Sequence, residues 1–168
     1  WELAGKTIGI IGLGNIGAKV AKIAEAFGMK VCYFSTSGTG HCKDYPCLEL
    51  EELLKVSDIV SIHAPLNART KNLIGRDQLA LMKPTAYLVN AGRGAIVVEE
   101  DLAEAVDAGV IAGAGIDVFV TEPIPEDHPY LKMKHPERMR LAPHVAWASI
   151  EARKRLIDIM ADNIRKGW

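Results

Sequence analysis

A glycine-rich turn between apolar segments is the feature that most constrains the fold of this chain. Residues 7–11 form a short, apolar segment rich in β-branched side chains, as expected of a strand buried on both faces. A G-x-G-x-x-G sequence follows, and its glycines are Gly12, Gly14 and Gly17. A helical pattern then ends at Gly28, and a second apolar run covers residues 30–34. This order within about 30 residues is typical of a dinucleotide-binding unit, whereas the alternative is a glycine-rich turn in an ordinary α/β protein.

Each glycine of the turn has a predicted physical role. Gly12 permits the tight turn out of the strand, and Gly14 lets the backbone approach a pyrophosphate. Gly17 lets the helix pack closely on the strand. The free N–H groups of the first helical turn, at Asn15 and Ile16, are expected to point at the phosphates. We predict that the apolar stripe of this helix consists of Ile16, Val20, Ile23, Ala24 and Phe27.

The residue that ends the second strand bears on the choice of cofactor. In a dinucleotide-binding unit, a carboxylate about 20 residues past the glycines binds the ribose 2′-hydroxyl. Ser35 takes that place here, followed by Thr36, and no acid lies between Glu25 and Asp44. Hydroxyl groups and glycine backbone could donate to a 2′-phosphate, but no arginine is nearby to bind it. The sequence therefore leaves NAD and NADP both open as the cofactor.

Length and composition indicate an ordinary globular domain. At 168 residues the chain is long enough to bury a core, and its net charge of -1 gives no electrostatic case for nucleic acid or an anionic membrane. No apolar run approaches the roughly 20 residues of a membrane helix. The three cysteines form no C-x-x-C and point to a reducing, cytoplasmic location. Because the chain enters its first strand almost at once after Trp1, we expect a fragment of a longer protein.

One group of residues raises the question of a metal. His41, Cys42 and Cys47 lie close together in the sequence, but the set lacks a fourth ligand. We therefore predict that the chain holds no metal.

Strand and helix patterns alternate along the rest of the chain. Further strands are predicted at residues 58–62, 86–90, 112–118 and 139–142. Helices are predicted at residues 48–54, 76–82, 99–108 and 149–166. Three prolines make residues 119–133 largely irregular. The alternation predicts a doubly wound, mainly parallel α/β sheet of the Rossmann type, in a single domain over residues 1–168.

Four charged or titratable residues follow the last three predicted strands. Arg93, Asp117, Glu122 and His144 all lie at carboxyl ends of strands or in the loops after them, where this fold also places its cofactor. Arg93 has glycine on both sides and could bind a carboxylate in a bidentate manner. Glu122 and His144 could meet as an orienting carboxylate and a general acid. Taken singly, an arginine in a turn is usually solvated, a glutamate before proline is usually loop surface, and a histidine after proline is often only a packing residue.

Several motifs together resemble one known family. The glycine turn, N-A-G-R-G at residues 90–94, G-I-D-V-F at 115–119 with Glu122, and the Pro-His pair ending at His144 are similar to the D-isomer-specific 2-hydroxyacid dehydrogenases. The resemblance implies a cofactor domain inserted into a substrate-holding domain that this sequence lacks. It also implies that Arg93 binds the substrate carboxylate and carbonyl. His144 would then be the proton donor or acceptor, and Glu122 would pair with it.

The resemblance also assigns cofactor contacts. Asp117 would face the nicotinamide, and Arg93 and His144 would lie beside the cofactor as well as the substrate. The groove would be lined by His63, Ala64, Pro65, Thr70, Ala91 and Gly92, with Val145, Ala146 and Trp147 near the nicotinamide.

The substrate and the assembly are also matters of resemblance. P-H-V-A-W at residues 143–147 is similar to the glycerate dehydrogenase and hydroxypyruvate reductase branch, so a small 2-keto acid such as hydroxypyruvate or glyoxylate is expected. A homodimer is expected, with residues 125–133 as a candidate contact or, alternatively, a plain surface loop. A non-catalytic NAD(H)-binding module, such as a corepressor-like relative, is the alternative function.

Overall fold

The computed structural model describes residues 2–38, 40 and 42–167. Its strands are β1 (Thr7–Ile11), β2 (Lys30–Phe34), β3 (Ile59–Ile62), β4 (Tyr87–Asn90), β5 (Gly113–Ile116) and β6 (Met139–Leu141). Its helices are α1 (Asn15–Ala26), α2 (Leu50–Val56), α3 (Arg76–Ala80), α4 (Glu99–Asp107) and α5 (Ile150–Arg165). The predicted strands and helices are all present, with ends that differ by a few residues. His41, considered above as a metal ligand, lies outside the described residues.

The six strands form one sheet in the order β2-β1-β3-β4-β5-β6. All five neighbouring pairs are parallel, so the sheet is entirely, rather than mainly, parallel. From β1 the chain moves outward to β2 and then crosses back over β1 to β3. The direction of winding therefore reverses between β1 and β3, and ligands of open α/β sheets bind outside the carboxyl ends of the strands at such a point. The predicted doubly wound fold is confirmed.

Strand β1 is packed on both faces, as its apolar composition predicts. Ile8 and Ile10 belong to the cluster that includes α1. Ile11 belongs to the larger cluster on the other face, together with Leu53 of α2. A methyl group on Gly9 would lie 2.5 Å from a methyl carbon of Leu53, so the absence of a side chain lets α2 approach β1. Each such buried Ile or Leu contributes roughly 1.5–3 kcal/mol to folding.

The predicted apolar stripe of α1 is confirmed for Ala24 and Val20, which pack on the core, and is wrong for its larger side chains. Its buried residues are Gly17, Ala21 and Ala24, whereas Ile16 and Phe27 are exposed. The physical reason is the close approach of the helix to β1, because a methyl group on Gly17 would lie 2.3 Å from the carbonyl oxygen of Gly12. Only small side chains fit between the two backbones, so the larger apolar residues of the helix are left outside.

Two regions late in the chain differ from a simple reading of their sequence. Residues 119–133 are largely irregular, as predicted, yet they are not only surface, because Tyr130 and Met133 pack into the core. Helix α5 has no buried residue, and its apolar side chains, such as Ile157, are exposed.

Among the described residues, no helix combines the length and apolar character needed to cross a membrane.

Candidate active site

Parallel pairing brings the carboxyl ends of four strands into one line. Ile11 of β1 pairs with Ile62 of β3, and Ile62 pairs with Asn90 of β4. Asn90 in turn pairs with Ile116 of β5. The residues that come next therefore share one edge of the sheet, and they are Gly12, His63, Ala91 and Asp117. Residues predicted from four separate motifs thus lie side by side.

The glycine turn has the geometry that its predicted roles require. Gly12 has a φ of +91°, and a methyl group there would lie 2.9 Å from the backbone of Ala64. Gly17 is the point of closest approach between α1 and β1. At Gly14, by contrast, no atom of the described residues lies within 4 Å of the place where a side chain would begin. This open position is where a diphosphate could reach the backbone.

The start of α1 suits an anion. No acidic residue lies in the first turn, and no side chain of the described residues caps the helix. Asn15 and Ile16 are its first two residues, and Ile16 is 66% exposed. The first N–H groups of a helix lack intrahelical partners, and the helix dipole adds partial positive charge there. The open space at Gly14 and this helix end together fit the diphosphate of NAD or NADP.

The end of β3 packs against the glycine turn. Ala64 is buried beside Gly12. His63 is half-buried, with Nε2 2.9 Å from the hydroxyl oxygen of Ser61. Burial lowers the pKa of His63, because the charged imidazolium is poorly solvated there. His63 is therefore expected to be neutral at pH 7, next to the site for an anionic cofactor.

The turn after β3 is shaped by one buried hydroxyl. Thr70 donates to the carbonyl oxygen of Pro65 at 2.6 Å and accepts from the N–H of Asn67 at 2.9 Å. Pro65 is exposed at the edge of the groove. Thr70, predicted to line the groove, thus has its hydroxyl engaged within the turn, and a direct contact with the cofactor remains a prediction.

The turn after β4 presents Arg93. The side-chain amide of Asn90 donates to the carbonyl oxygen of Arg93 at 3.0 Å and accepts from the N–H of Gly92 at 3.0 Å. The Arg93 guanidinium is exposed and donates to the carbonyl oxygen of Gly92 at 2.7 Å. A methyl group on Gly94 would lie 2.0 Å from the carbonyl carbon of Phe119, so the backbone of this turn touches the loop after β5. That contact brings Arg93 toward Glu122.

The carboxylate of Asp117 fixes the loop after β6. It accepts from the N–H groups of Val145 at 2.8 Å and Ala146 at 2.9 Å, and the residue is nearly buried. Both of its oxygens therefore hold the backbone that follows His144. Val145 and Ala146 are exposed beside the groove. The predicted position of Asp117 at the nicotinamide stays a prediction, and its role in positioning the loop was not foreseen from the sequence.

Glu122 and His144 meet at this edge. Nδ1 of His144 lies 2.8 Å from one carboxylate oxygen of Glu122, while the other oxygen accepts from the N–H of Phe119 at 2.9 Å. The bonds from His144 and Phe119, and the positive charge of Arg93, hold the pKa of Glu122 below its usual value. A carboxylate at Nδ1 assigns the donor proton to that nitrogen and leaves Nε2 for a ligand. His144 has a φ of +55°, a rare backbone conformation for a residue other than glycine.

A second carboxylate supports the same loop, and sequence analysis did not single it out. Glu99, in the first turn of α4, accepts from the N–H of Val120 at 3.0 Å. Its other oxygen lies 3.2 Å from Nε2 of the buried His128, at an angle that makes no well-aligned hydrogen bond. Nδ1 of His128 accepts from the N–H of Tyr130. In the sequence, Glu99 is indistinguishable from the acids beside it, which are expected there because of the helix dipole.

The expectation that no arginine lies near Ser35 is wrong. Arg69 follows β3, yet its guanidinium donates to the carbonyl oxygen of Ser37 at 3.1 Å. Ser35 is nearly buried at the end of β2, and its hydroxyl lies 3.0 Å from that of Ser37. Thr36 is half-buried beside them. The order of strands in the sheet brings these two segments together, and no local pattern could have shown it.

Within the described ranges, no group of three or more His, Cys, Asp or Glu side chains could hold a metal ion. The titratable side chains at the groove instead form pairs or bind backbone. The fold, the glycine turn and the open helix end define a dinucleotide-binding domain of the doubly wound type.

Comparison with known proteins places the chain more narrowly. The profile of the D-isomer specific 2-hydroxyacid dehydrogenase, NAD binding domain, matches residues 1–146. The chain belongs to this family, and its resemblance to the family on sequence motifs is confirmed.

Individual relatives agree with this placement. The chain is 45% identical over 167 residues to a glyoxylate reductase of Korarchaeum cryptofilum, covering 98% of this chain and 49% of the relative. It is 41% identical to a hydroxypyruvate reductase of Blautia hydrogenotrophica, covering 98% of this chain and 51% of the relative. The chain thus spans about half the length of these curated relatives.

A solved structure of known activity is also similar to this chain in fold and sequence. An acyclic imino acid reductase (Bsp5) in complex with NADPH and D-Arg superposes with a TM-score of 0.89 at 38% identity, covering 98% of this chain and 52% of the other. The comparisons give no support to the non-catalytic alternative.

Proposed function

We propose that this chain is the cofactor-binding half of an oxidoreductase that interconverts a 2-keto acid and a D-2-hydroxy acid. The observation that carries the proposal is the 2.8 Å contact between His144 and Glu122 at the same edge as the glycine turn. An imidazole oriented by a carboxylate beside a dinucleotide groove is suited to move a proton while a hydride is transferred. The membership of the family supports this reading.

The proton chemistry follows from the pairing. When bound, the cofactor supplies or accepts a hydride at its nicotinamide ring. In the reducing direction, Nε2 of His144 gives a proton to the carbonyl oxygen, and in the oxidising direction it removes one from the hydroxyl. Glu122 stabilises the imidazolium through Nδ1 and holds the ring in place. Because its pKa is lowered, Glu122 remains ionised throughout the neutral range.

Arg93 is the proposed substrate anchor. Its guanidinium is exposed, and it sits on a turn fixed by Asn90. The planar guanidinium matches a carboxylate with two parallel hydrogen bonds, and its charge would offset the charge that develops on the carbonyl oxygen. A 2-keto acid carries both groups on adjacent carbons, which is the arrangement that one arginine and one histidine can bind together.

The substrate and the rest of the enzyme are also proposals. The names of the two relatives favour glyoxylate or hydroxypyruvate as the keto acid. A second, substrate-holding half would complete the cleft, since this chain corresponds to about half of each relative. Closure of that half over the groove would exclude water from the hydride transfer. We expect the isolated 168-residue chain to bind cofactor weakly and to show little or no turnover.

The test uses the full-length protein with His144→Ala. We expect turnover of hydroxypyruvate and glyoxylate to fall by about 10²- to 10⁴-fold with either NADH or NADPH, because the proton donor is lost. Cofactor affinity, measured by quenching of protein fluorescence, should stay within about threefold of wild type. His135→Ala is the matched control, since His135 is outside the proposed site and pairs with Glu137 on the surface. Undiminished turnover in His144→Ala would refute the assignment.

Assembly and location complete the proposal. We propose a homodimer in the reducing environment of the cytoplasm, as the family resemblance and the cysteine content suggest. The candidate contact at residues 125–133 is weakened by the burial of Tyr130 and Met133 in the core of the same chain. Sedimentation equilibrium of the full-length protein would decide the question, and a monomer at micromolar concentration would exclude the dimer.

A further inference from the structure

The cavity beside Ser35 lies at the end of the groove opposite His144. Its volume is about 360 Å³, within the range of small-ligand pockets. Phe34 and Leu48 line its apolar part, whereas Ser35, Thr36 and Arg69 supply polar groups. In this fold, the end of the second strand is where the ribose of the adenosine half binds. The cavity therefore lies where the 2′ position of that ribose is recognised.

The charge around the cavity favours an anion. The carboxylate that would bind a 2′-hydroxyl is replaced by Ser35. Arg69 reaches the same place from the turn after β3, with its guanidinium 3.1 Å from the carbonyl oxygen of Ser37. No carboxylate among the described residues forms an ion pair with Arg69. A guanidinium has five N–H donors, so several remain for a ligand after the bond to Ser37.

The backbone that carries Arg69 is fixed. Its N–H donates to the side-chain oxygen of Asn67 at 2.9 Å. Thr70, the next residue, holds the turn through Pro65 and Asn67. Only the side chain of Arg69 has to adjust when a ligand enters, which limits the entropy lost on binding. Arg69 therefore carries an exposed positive charge on a turn whose backbone is fixed.

We propose that Arg69, with the hydroxyl-rich segment Ser35 to Gly38, forms a site for the 2′-phosphate of NADP(H), so that the domain prefers NADPH over NADH. The proposal rests on the function proposed above, because it names the cofactor of that same groove. Arg69 binds the phosphate oxygens in a bidentate manner, and hydroxyl groups of the segment donate to the same group. Glu49 also lines the cavity and is the only carboxylate among the described lining residues. Its charge would disfavour a phosphate placed against it.

The experiment measures dissociation constants of NADPH and NADH by isothermal titration calorimetry, on the full-length protein. Wild type should bind NADPH about tenfold or more tightly than NADH. Arg69→Ala should weaken NADPH by about ten- to a hundredfold and NADH by less than about threefold. Lys71→Ala removes the same charge two residues away, from an exposed position on the same turn, and should change neither value by more than about threefold. Ser35→Asp should reverse the preference.

Any other result of the titrations would contradict a specific part of the proposal. Equal or tighter binding of NADH by wild type overturns the NADPH preference. An NADPH preference that survives Arg69→Ala, or an equal loss of both cofactors in that variant, overturns the role of Arg69 in reading the phosphate. If Glu49→Gln, and not Arg69→Ala, changes the ratio of the two affinities, the carboxylate is the discriminating group and the proposal fails. Failure of wild type to bind either cofactor would instead overturn the proposed function.

Discussion

The two ends of the groove hold their polar groups in different ways. At the His144 end, Asn90, Asp117 and Glu122 each make two hydrogen bonds, all between 2.8 and 3.0 Å. Each bond either fixes a turn of backbone or orients a side chain that would react. At the other end, the guanidinium of Arg69 makes one hydrogen bond within the described part of the chain, 3.1 Å to the carbonyl oxygen of Ser37, and faces a cavity.

This difference matches what each end is proposed to do. Proton transfer needs groups that are already in place, because their reorganisation during the reaction would raise the barrier. Recognition of a phosphate needs charge and hydrogen-bond donors, and a long side chain can adjust to the ligand. Substitutions at the His144 end should therefore affect the free energy of unfolding as well as turnover. Substitutions at the Arg69 end should affect cofactor affinity alone.

The largest expected effect comes from Gly94→Ala. The new methyl group would lie 2.0 Å from the carbonyl carbon of Phe119, and backbone cannot move aside as a flexible side chain can. We expect a loss of about 3 kcal/mol or more in the free energy of unfolding in urea. Gly115→Ala is the control, since its nearest atom would be 4.0 Å away. Equal stability of the two variants would show that the Arg93 turn is not packed as described.

Glu99→Ala should have the next largest effect. The variant leaves the N–H of Val120 without its acceptor and removes the carboxylate beside buried His128. Loss of partners for buried polar groups should cost about 2–3 kcal/mol in urea unfolding. Turnover of the full-length protein should also fall, with cofactor affinity retained, because the loop that carries Glu122 loses an anchor. Glu100→Ala, at an exposed neighbouring position, should be nearly neutral, and similar losses in both variants would contradict the assignment.

Glu122→Gln tests the pairing through its pH dependence. The pKa of Glu122 is lower in the folded chain than in the unfolded chain, so its contribution to stability is complete above the ordinary pKa of an unfolded glutamate. That contribution disappears as pH falls through the lowered value. Wild type should therefore lose more stability than the variant in this acid range, modestly, since the pair is partly solvated. Glu126→Gln, on the same loop, should follow wild type, and parallel curves for wild type and Glu122→Gln would argue against the pair.

The smallest effect on stability is expected for Gly14→Ser. No atom of the described residues lies within 4 Å of the new side-chain carbon, and serine is a favourable residue at the start of a helix. The free energy of unfolding should change by less than about 0.5 kcal/mol. Affinity for both NADH and NADPH should nevertheless fall by about tenfold, because the side chain would occupy the approach of the diphosphate. Unchanged affinity would place the diphosphate elsewhere.

Local sequence was a reliable guide to the strands and helices, and it paired Glu122 with His144, which meet at 2.8 Å in the structure. Runs of apolar residues and the glycines at their ends identify strands and turns because these are decided over a few neighbouring positions. The face of α1 was not predictable in the same way. The hydrophobic pattern also included Ile16 and Phe27, which are exposed, whereas the close contact at Gly17 leaves room for Ala21, which the pattern did not include. Periodicity reports which side chains are apolar, and it does not report how near the backbones come.

The sequence by itself determined the glycine turn and the alternation of strands and helices along the chain. It also identified Arg93, Glu122 and His144 as candidate site residues. Tertiary structure alone decided that Glu99 supports the loop of Glu122. It also decided that Arg69 donates a hydrogen bond to Ser37, which is 32 positions away in the sequence. The reason is physical. A turn is specified by the conformational preferences of adjacent residues, but a contact between loops depends on which strands become neighbours in the sheet.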